Sequence, residues 1–562
     1  MEETYDFDAI VVGSGITGGW SAKQLTEAGL KVLLLERGPD IPHGSGYTTE
    51  SKAPWDMPFR GKGDAELYAE QYPVQRLNRH FTEFTQNHFV NDAQNPYQVG
   101  EGAFNWFRSY NLGGRSLTWG RQTYRWSDWD FDANRRDGHG TDWPIRYADL
   151  APWYDLVEDF IGVSGSAEGL PQLPDGRFQP PMALNAVEAD LRERISARWP
   201  ERRLMVGRTA NLTQAKPGRA PCQYRATCQR GCSFGAYFST QSSTLPAARA
   251  TGNLTLVTDA VVEAIDHDPA TNRVTGVRWI DRSDNSRKQA SARMVFLNAG
   301  SFNTVHLLLN SASEANPNGL ANRSGVLGQY IMDHPSTLSA AALMPGFANV
   351  TTFGNRPTGV VIARYRNLDT MDGEGHTRGY SFQGGALQSA WVRGKREAGI
   401  GAEYKQSLRG PGPWRVVLVA FADCVPRASN RLTLDRANLD TNGLPQLKID
   451  FAFGAEEHAA LAQAKADAAD MLTHAGGQVL MGFDRPGAGG SAIHEMGGAR
   501  MGHDPATSVL NRWSQAHDVP NLFVTDGAQM ASSACQNPSL TYMALTARAA
   551  SHAVELLQEG AL

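Results

Sequence analysis

The stretch AIVVGSGITGGWSAKQLTEAGLKVLLLE, residues 9–36, leaves few folds open to this 562-residue chain. Two short apolar runs, AIVV and VLLLE, are rich in branched residues, as in parallel strands covered on both faces. Between them Gly13-x-Gly15-x-x-Gly18 opens a helix expected to run to about Ala28. Gly13 permits the tight turn, and Gly15 lets backbone N–H groups approach a pyrophosphate at the helix N-terminus. Gly18 allows close helix–strand packing. Glu36 closes the second strand, where its carboxylate can accept hydrogen bonds from ribose hydroxyls. This βαβ unit predicts an α/β chain built on a Rossmann-like, dinucleotide-binding domain.

The unit alone leaves FAD and NAD open, and the far end of the chain bears on the choice. NLFVTDGAQMASSACQNPSLTYMALTARAASHAVELL begins as an apolar strand ending at Asp526-Gly527 and continues into a long helix with alanine- and leucine-rich faces. The last sixty or so residues therefore read as a return to the first domain, so that an extended FAD would be gripped by both termini. A shuttling nicotinamide cofactor would more often have a later GxGxxG of its own, and the chain has no second one. At 41% apolar and 20% charged residues the composition is that of a globular protein. A formal charge of −5 argues against nucleic acid or an anionic membrane as the main partner. No apolar run approaches the length of a membrane span; RVVLVAFA is among the longest. The acidic start, MEETYDFDAIVV, enters a strand at once, and no signal peptide is expected there.

Five segments occur in order: the opening fingerprint, SYNLGGRSLTWG (109–120), MVFLNAGSFNTVHLLLNS (294–311), IHEMGGARMG (493–502) and VTDGAQMASSACQNPSLT (524–541). Together they resemble the glucose–methanol–choline flavoprotein oxidoreductases. The resemblance implies a non-contiguous FAD-binding domain over 1–330 and 490–562, with an inserted α+β substrate-binding domain over 331–489. It implies that Gly113, Gly114 and Ser116 approach the flavin pyrophosphate and ring, and that Val262, Asp526 and Gly527 also contact the cofactor. Some sugar-oxidising relatives carry a flavin-linking histidine before the tryptophan of SLTWG; here that position is Thr118, so non-covalent FAD is expected.

Oxidising an alcohol needs a base for the hydroxyl proton and an acceptor for the hydride. A neutral histidine suits the first task at physiological pH. The resemblance places the catalytic histidine at His494 and its partner, histidine or asparagine in relatives, at Asn537. Asn537 cannot exchange protons but can hydrogen-bond the substrate oxygen. Preceding Pro538, it also reads as a helix N-cap with proline at the first helical position. His334 in IMDHP is a second candidate base.

Three of the five cysteines crowd into PCQYRATCQRGCSFGA, residues 221–236. Cys222-x₅-Cys228-x₃-Cys232 does not match paired C-x₂-C zinc knuckles, and no nearby histidine completes a zinc set. Gly231 and Gly235 could turn backbone N–H groups towards a buried cluster, and Arg225 and Arg230 would favour thiolates. Three thiolates suit a three-iron cluster. The spacing is similar to that of catalytic subunits of bacterial FAD-dependent sugar dehydrogenases, which implies a [3Fe–4S] centre; Cys535 is a conceivable fourth ligand. Within that group GGRSLTWGRQ most resembles the large subunits of glucoside 3-dehydrogenases, implying oxidation of the C3 hydroxyl of glucose or glucosides. Glucose 1-, gluconate, fructose or polyol oxidation, or an oxygen-using sugar oxidase, are the alternatives. The same resemblance implies a small companion subunit carrying the export signal, a cytochrome acceptor and a periplasmic location, with a cytoplasmic one the alternative if no such partner exists.

Overall fold

The computed structural model describes residues 5–352, 354–390, 393–394 and 397–562. Its first sheet has seven strands. Phe7–Val12 lies between Val32–Leu35 and Arg287–Leu297, parallel to both, and Leu254–Val257 flanks Val32–Leu35. Val11 is opposite Leu34 on one side and Phe296 on the other. Ala9, Ile10, Val11 and Val32–Leu35 are all but fully buried, as the unbroken apolar runs require of strands covered on both faces. The helix between them spans Ile16–Glu27, one residue short of the expected end.

The strand Arg287–Leu297 divides its pairing. Its C-terminal half runs parallel to Phe7–Val12 and to Leu522–Val524, while its N-terminal half joins the antiparallel strands Arg273–Asp281 and Ala260–Asp268. Phe296 and Phe523 stack across the first of these joints with centroids 4.7 Å apart. The end of the chain thus returns to the opening sheet, and the helix Ser539–Gln558 packs against Ile16–Glu27.

A second sheet of six antiparallel strands runs in the order Gln478–Met481, Ser336–Met344, Trp414–Ala422, Tyr380–Gln388, Val360–Ile362, Leu204–Val206. Alternation sets its two faces. Trp414, Val416, Leu418, Ala420 and Ala422, with Tyr380 and Phe382, bury against the helices Ala455–His474 and Ala186–Arg198. The odd residues of Tyr380–Gln388 therefore point the other way: Ser381 donates to the Cys535 carbonyl and Gln383 to Asn537. Five of the six strands come from 331–489; the edge strand Leu204–Val206 and the helix Ala186–Arg198 come from outside that range. No helix among the described residues is long and apolar enough to cross a membrane.

Candidate active site

A cavity opens at the carboxyl ends of the first sheet's parallel strands, where Val12, Leu35 and Asn298 reach it. About 1780 Å³ of its space, part of it open to solvent, is free of protein atoms. Gly13, Gly15, Glu36, Gly114, Ser116, Val262, Asp526 and Gly527 line it, and so do Thr118, His494 and Asn537. Gly18 and Gly113 do not line the cavity; they shape it. A Cβ on Gly18 would lie 1.8 Å from the Gly13 carbonyl oxygen, whereas a Cβ on Gly15 would meet no protein atom within 4 Å. Gly15 is the N-cap of Ile16–Glu27, with no side-chain cap and no acidic residue in the first turn. The first N–H groups of that helix are thus available to an anion. An open cradle at Gly15 is the space a pyrophosphate needs, so the residues present fit FAD.

Glu36 is buried and accepts from the Ser14 hydroxyl at 2.6 Å, the Ser14 N–H at 3.1 Å and the Gly38 N–H at 3.0 Å. Burial pushes its carboxyl above the usual range, against those three hydrogen bonds. Ser14 in turn accepts from the Gly113 N–H at 2.9 Å, locking the second glycine loop onto the first. The Ser116 hydroxyl is spent on the same loop, donating to the Gly113 carbonyl at 2.5 Å and accepting from the Thr240 N–H at 3.0 Å. Asp526 takes the Gly300 and Ala528 N–H groups, each at 2.9 Å, and the Thr304 hydroxyl at 2.5 Å; burial lifts its carboxyl to about 6. Arg115 grips Glu495 with two N–H donors, at 3.1 and 2.6 Å, tying the second glycine loop to the segment that carries His494.

His494 stands at the centre of a chain of side chains. Its Nε2 lies 3.1 Å from Asn537 Nδ2, and Asn537 Oδ1 accepts from Gln383 Nε2 at 2.6 Å. Its Nδ1 lies 2.9 Å from Nδ1 of His334. The backbone beneath it is held by Asp333, whose two oxygens accept from the N–H groups of Ala492 (3.2 Å) and His494 (3.0 Å). Between those two amides Ile493 adopts φ +58°, unusual for a β-branched residue, with its N–H on the Gly490 carbonyl at 3.0 Å. Burial, with help from His334 and Arg115, holds His494 well below the ordinary histidine range. Burial puts His334 at about 4 and lifts Asp333, next to Glu495, to about 7. The result is a neutral imidazole and an amide donor side by side on the cavity wall.

Sequence reasoning placed His494 and Asn537 together and named His334 as a second candidate base, but missed Gln383 and Asp333. Gln383 sits mid-strand in YSFQGGALQ with no local signal, and Asp333 and His334 act as a pair that only IMDHP hinted at. The helix at the end of the chain begins at Ser539, so Pro538 takes the N-cap position and the Asn537 side chain turns to the site instead of capping. His334 is buried behind His494 and does not line the cavity.

The cysteine loop packs on the other side of the second glycine loop. Cys222, Cys228 and Cys232 are half-buried; burial and then the other two thiols push the Cys222 thiol upward. Glu50 clamps the loop, pairing with Arg225 and accepting the Ser233 N–H at 3.0 Å. Arg230 turns away from the thiols to lie 3.5 Å from the Phe84 ring centroid, so of the two expected arginines only Arg225 bears on them, through Cys232. Gly231 has φ +98° and a Cβ there would strike the Tyr47 ring, so glycine is needed on both counts, and the Gly235 N–H is used by the Cys232 carbonyl at 2.9 Å. The Tyr237 hydroxyl donates to the Leu117 carbonyl at 2.8 Å and Trp119 Nε1 to the Phe238 carbonyl at 2.9 Å, joining the end of this loop to the segment that lines the cavity. Among the described residues no three His, Cys, Asp or Glu are gathered closely enough to hold a metal ion. Three thiols in one loop are of the donor type that iron–sulfur clusters use, but they are not gathered around one point. Cys535 is fully buried near Asp130, Arg364 and Asp423, apart from these thiols.

Comparison with known proteins gives three family matches. Residues 204–336 and 426–546 match the two GMC oxidoreductase models, and residues 8–97 match FAD dependent oxidoreductase. The chain is 27% identical to the fructose dehydrogenase large subunit of Gluconobacter japonicus, over 99% of each chain. It is 28% identical to 2-methyl-1,2-propanediol dehydrogenase of Mycolicibacterium austroafricanum, over 96% of this chain and 94% of that one. The solved structure of Aspergillus oryzae formate oxidase superposes with a TM-score of 0.62 at 15% identity, over 99% of this chain and all of that one, a likeness of fold.

Proposed function

This chain belongs to the GMC oxidoreductase family, and on that premise we propose that it is a dehydrogenase oxidising C3 of glucose or a glucoside to the 3-keto sugar. At the coarser level it is an FAD-dependent flavoprotein acting on a sugar or alcohol. One observation carries the chemistry: His494 Nε2 and the Asn537 amide stand together on the wall of the cavity that the glycine loops open. FAD bound there supplies a two-electron acceptor for the hydride that leaves the carbinol carbon. The sugar hydroxyl enters beside Nε2, which takes its proton, while the Asn537 N–H holds the oxygen as it becomes a carbonyl. The low basicity of the buried ring keeps Nε2 free for that proton at neutral pH.

The choice of dehydrogenase over oxidase rests on the cysteine loop. Cys222, Cys228 and Cys232 would hold a [3Fe–4S] cluster, which supplies a one-electron relay when bound. The bonds from Tyr237 and Trp119 that connect the loop to the cavity wall support that role, as does the likeness to a large subunit of a fructose dehydrogenase. The C3 position rests on GGRSLTWGRQ and Thr118. A small companion subunit, a cytochrome acceptor and a periplasmic location complete the reading.

Anaerobic bleaching of the flavin by a panel of sugars tests this proposal, with product analysis to locate the carbonyl and metal assay to count iron. His494→Ala should keep its FAD and lose flavin reduction by ~10²–10⁴-fold, the usual share of a positioned base. Unchanged bleaching in that variant would remove His494 as the base; protein isolated anaerobically without iron would remove the relay.

A further inference from the structure

We propose that His334 is a positioning residue that fixes His494 as the Nδ1–H tautomer, leaving Nε2 unprotonated beside Asn537 at the cavity wall. The inference rests on the reading of His494 as base and adds what makes it one. Two imidazole Nδ1 atoms 2.9 Å apart can hydrogen-bond only if one carries a proton and the other a lone pair. At the far side of His494, Asn537 gives its oxygen to Gln383 and so presents an NH₂ group to Nε2 at 3.1 Å. An amide donor there requires a lone pair on Nε2, which leaves the ring's single proton on Nδ1, donated to His334. His334 Nε2 is buried without a hydrogen-bond partner among the described residues, so nothing else fixes the His334 tautomer and its Nδ1 is free to accept. With His494 Nδ1 as the donor, the single proton of neutral His334 stands on Nε2 and its Nδ1 is the acceptor.

All the polarities therefore run one way, from Gln383 through Asn537 to His494 Nε2 and from His494 Nδ1 to His334. The neighbouring residue fixes the backbone in the same way: Asp333 takes the N–H groups on either side of Ile493 and so holds the left-handed turn that aims His494. Asp333 and His334 form a two-residue clamp, one side chain on the main chain and the other on the ring. The tautomer matters because the opposite one would put a proton on Nε2, where a hydroxyl proton must be received. Elsewhere, a wrong histidine tautomer at intact geometry costs a catalytic base orders of magnitude.

The test is anaerobic reduction of the FAD-loaded enzyme by D-glucose, followed by the loss of flavin colour. H334A removes the acceptor, and its limiting reduction rate should fall ~10²-fold, within the range a positioned base contributes, with the half-saturating sugar concentration little changed. H334N places an amide oxygen near the former Nδ1 and should recover the rate to within ~10-fold of wild type. An H334N enzyme as slow as H334A, both holding FAD and melting like wild type, would overturn the proposal, as would wild-type rates in H334A. A second measurement needs no substrate and no folded His334 variant. ¹⁵N spectra of the histidine-labelled holoenzyme, with the His494 signals assigned by their loss in H494N, should show His494 protonated at Nδ1 and bare at Nε2, and the reverse pattern refutes the clamp. If no sugar or alcohol bleaches the wild-type flavin, the functional reading fails, and the tautomer is still decided by the spectra.

Discussion

Gly15 and Gly18 lie three residues apart on the same helix, yet adding one methyl group to each should have opposite consequences. At Gly18 the new Cβ would sit 1.8 Å from the Gly13 carbonyl oxygen, and real Cβ contacts essentially never fall below 3.0 Å. Helix or turn must retreat by about 1.2 Å inside a fully packed βαβ unit, which costs at least ~3 kcal/mol at the severe end of overpacking. At Gly15 the methyl enters the cavity, with no protein atom within 4 Å, and φ is −59°, open to any residue. Losing glycine at an N-cap and restricting the unfolded chain act in opposite senses, so stability should change by less than about 1 kcal/mol. The cofactor phosphate, however, is displaced from the first N–H groups of the helix. Two hydrogen bonds to a charged group, each contributing ~1.5–3 kcal/mol, amount to a 10²- to 10⁴-fold weaker Kd. Chemical denaturation of the apoprotein and flavin titration of each variant separate the two effects. If Gly15→Ala bound FAD normally, or Gly18→Ala were as stable as wild type, the assignment of roles within Gly13-x-Gly15-x-x-Gly18 would be wrong.

Protonation of His494 should not limit flavin reduction down to pH 6.5 and below, because burial, His334 and Arg115 all oppose it; a change near pH 7 should come from Asp333, which burial lifts to about 7, and should vanish in Asp333→Asn. A rate that still fell through the ordinary histidine pKa in Asp333→Asn would contradict that environment. His334 is held at about 4, below its unfolded value of 6.5, so its contribution to stability is present above pH 6.5 and lost as pH falls towards 4. Urea midpoints compared with those of H334N should show that loss in wild type only. Glu50→Gln should loosen the cysteine loop, giving protein with less iron but with FAD and sugar-driven bleaching intact. Arg378 bonds Asp137 at 2.7 Å and Asp423 at 3.3 Å, all three buried, so Arg378→Leu should cost about 3–5 kcal/mol in urea denaturation; a loss under about 1 kcal/mol would mean those carboxylates find other partners.

Local order was legible in the residues. Gly13-x-Gly15-x-x-Gly18 between two apolar runs can close only one kind of turn, and the strand, helix and cofactor cradle follow from φ angles and Cβ clearances within thirty residues. The return of the C-terminal strand and helix was also legible, because NLFV and the alanine-rich helix carry the burial pattern of the first sheet. His494 and Asn537 were found through their motif context. What surrounds them depended on contacts between segments far apart in the chain. Gln383 reaches Asn537 across 154 positions because strand alternation puts Tyr380 and Phe382 in the core and turns Ser381 and Gln383 to the opposite face. His334 meets His494 across 160 positions, and its partner nitrogen has no trace in the sequence.

The sequence by itself determined the glycine turn at the head of the first helix, since short-range sterics decide it, and it pointed to His494 through the resemblance its motif carries. Only the tertiary structure decided the protonation pattern of that histidine, because a neutral imidazole's tautomer is set by the donors and acceptors that packing brings to its two nitrogens.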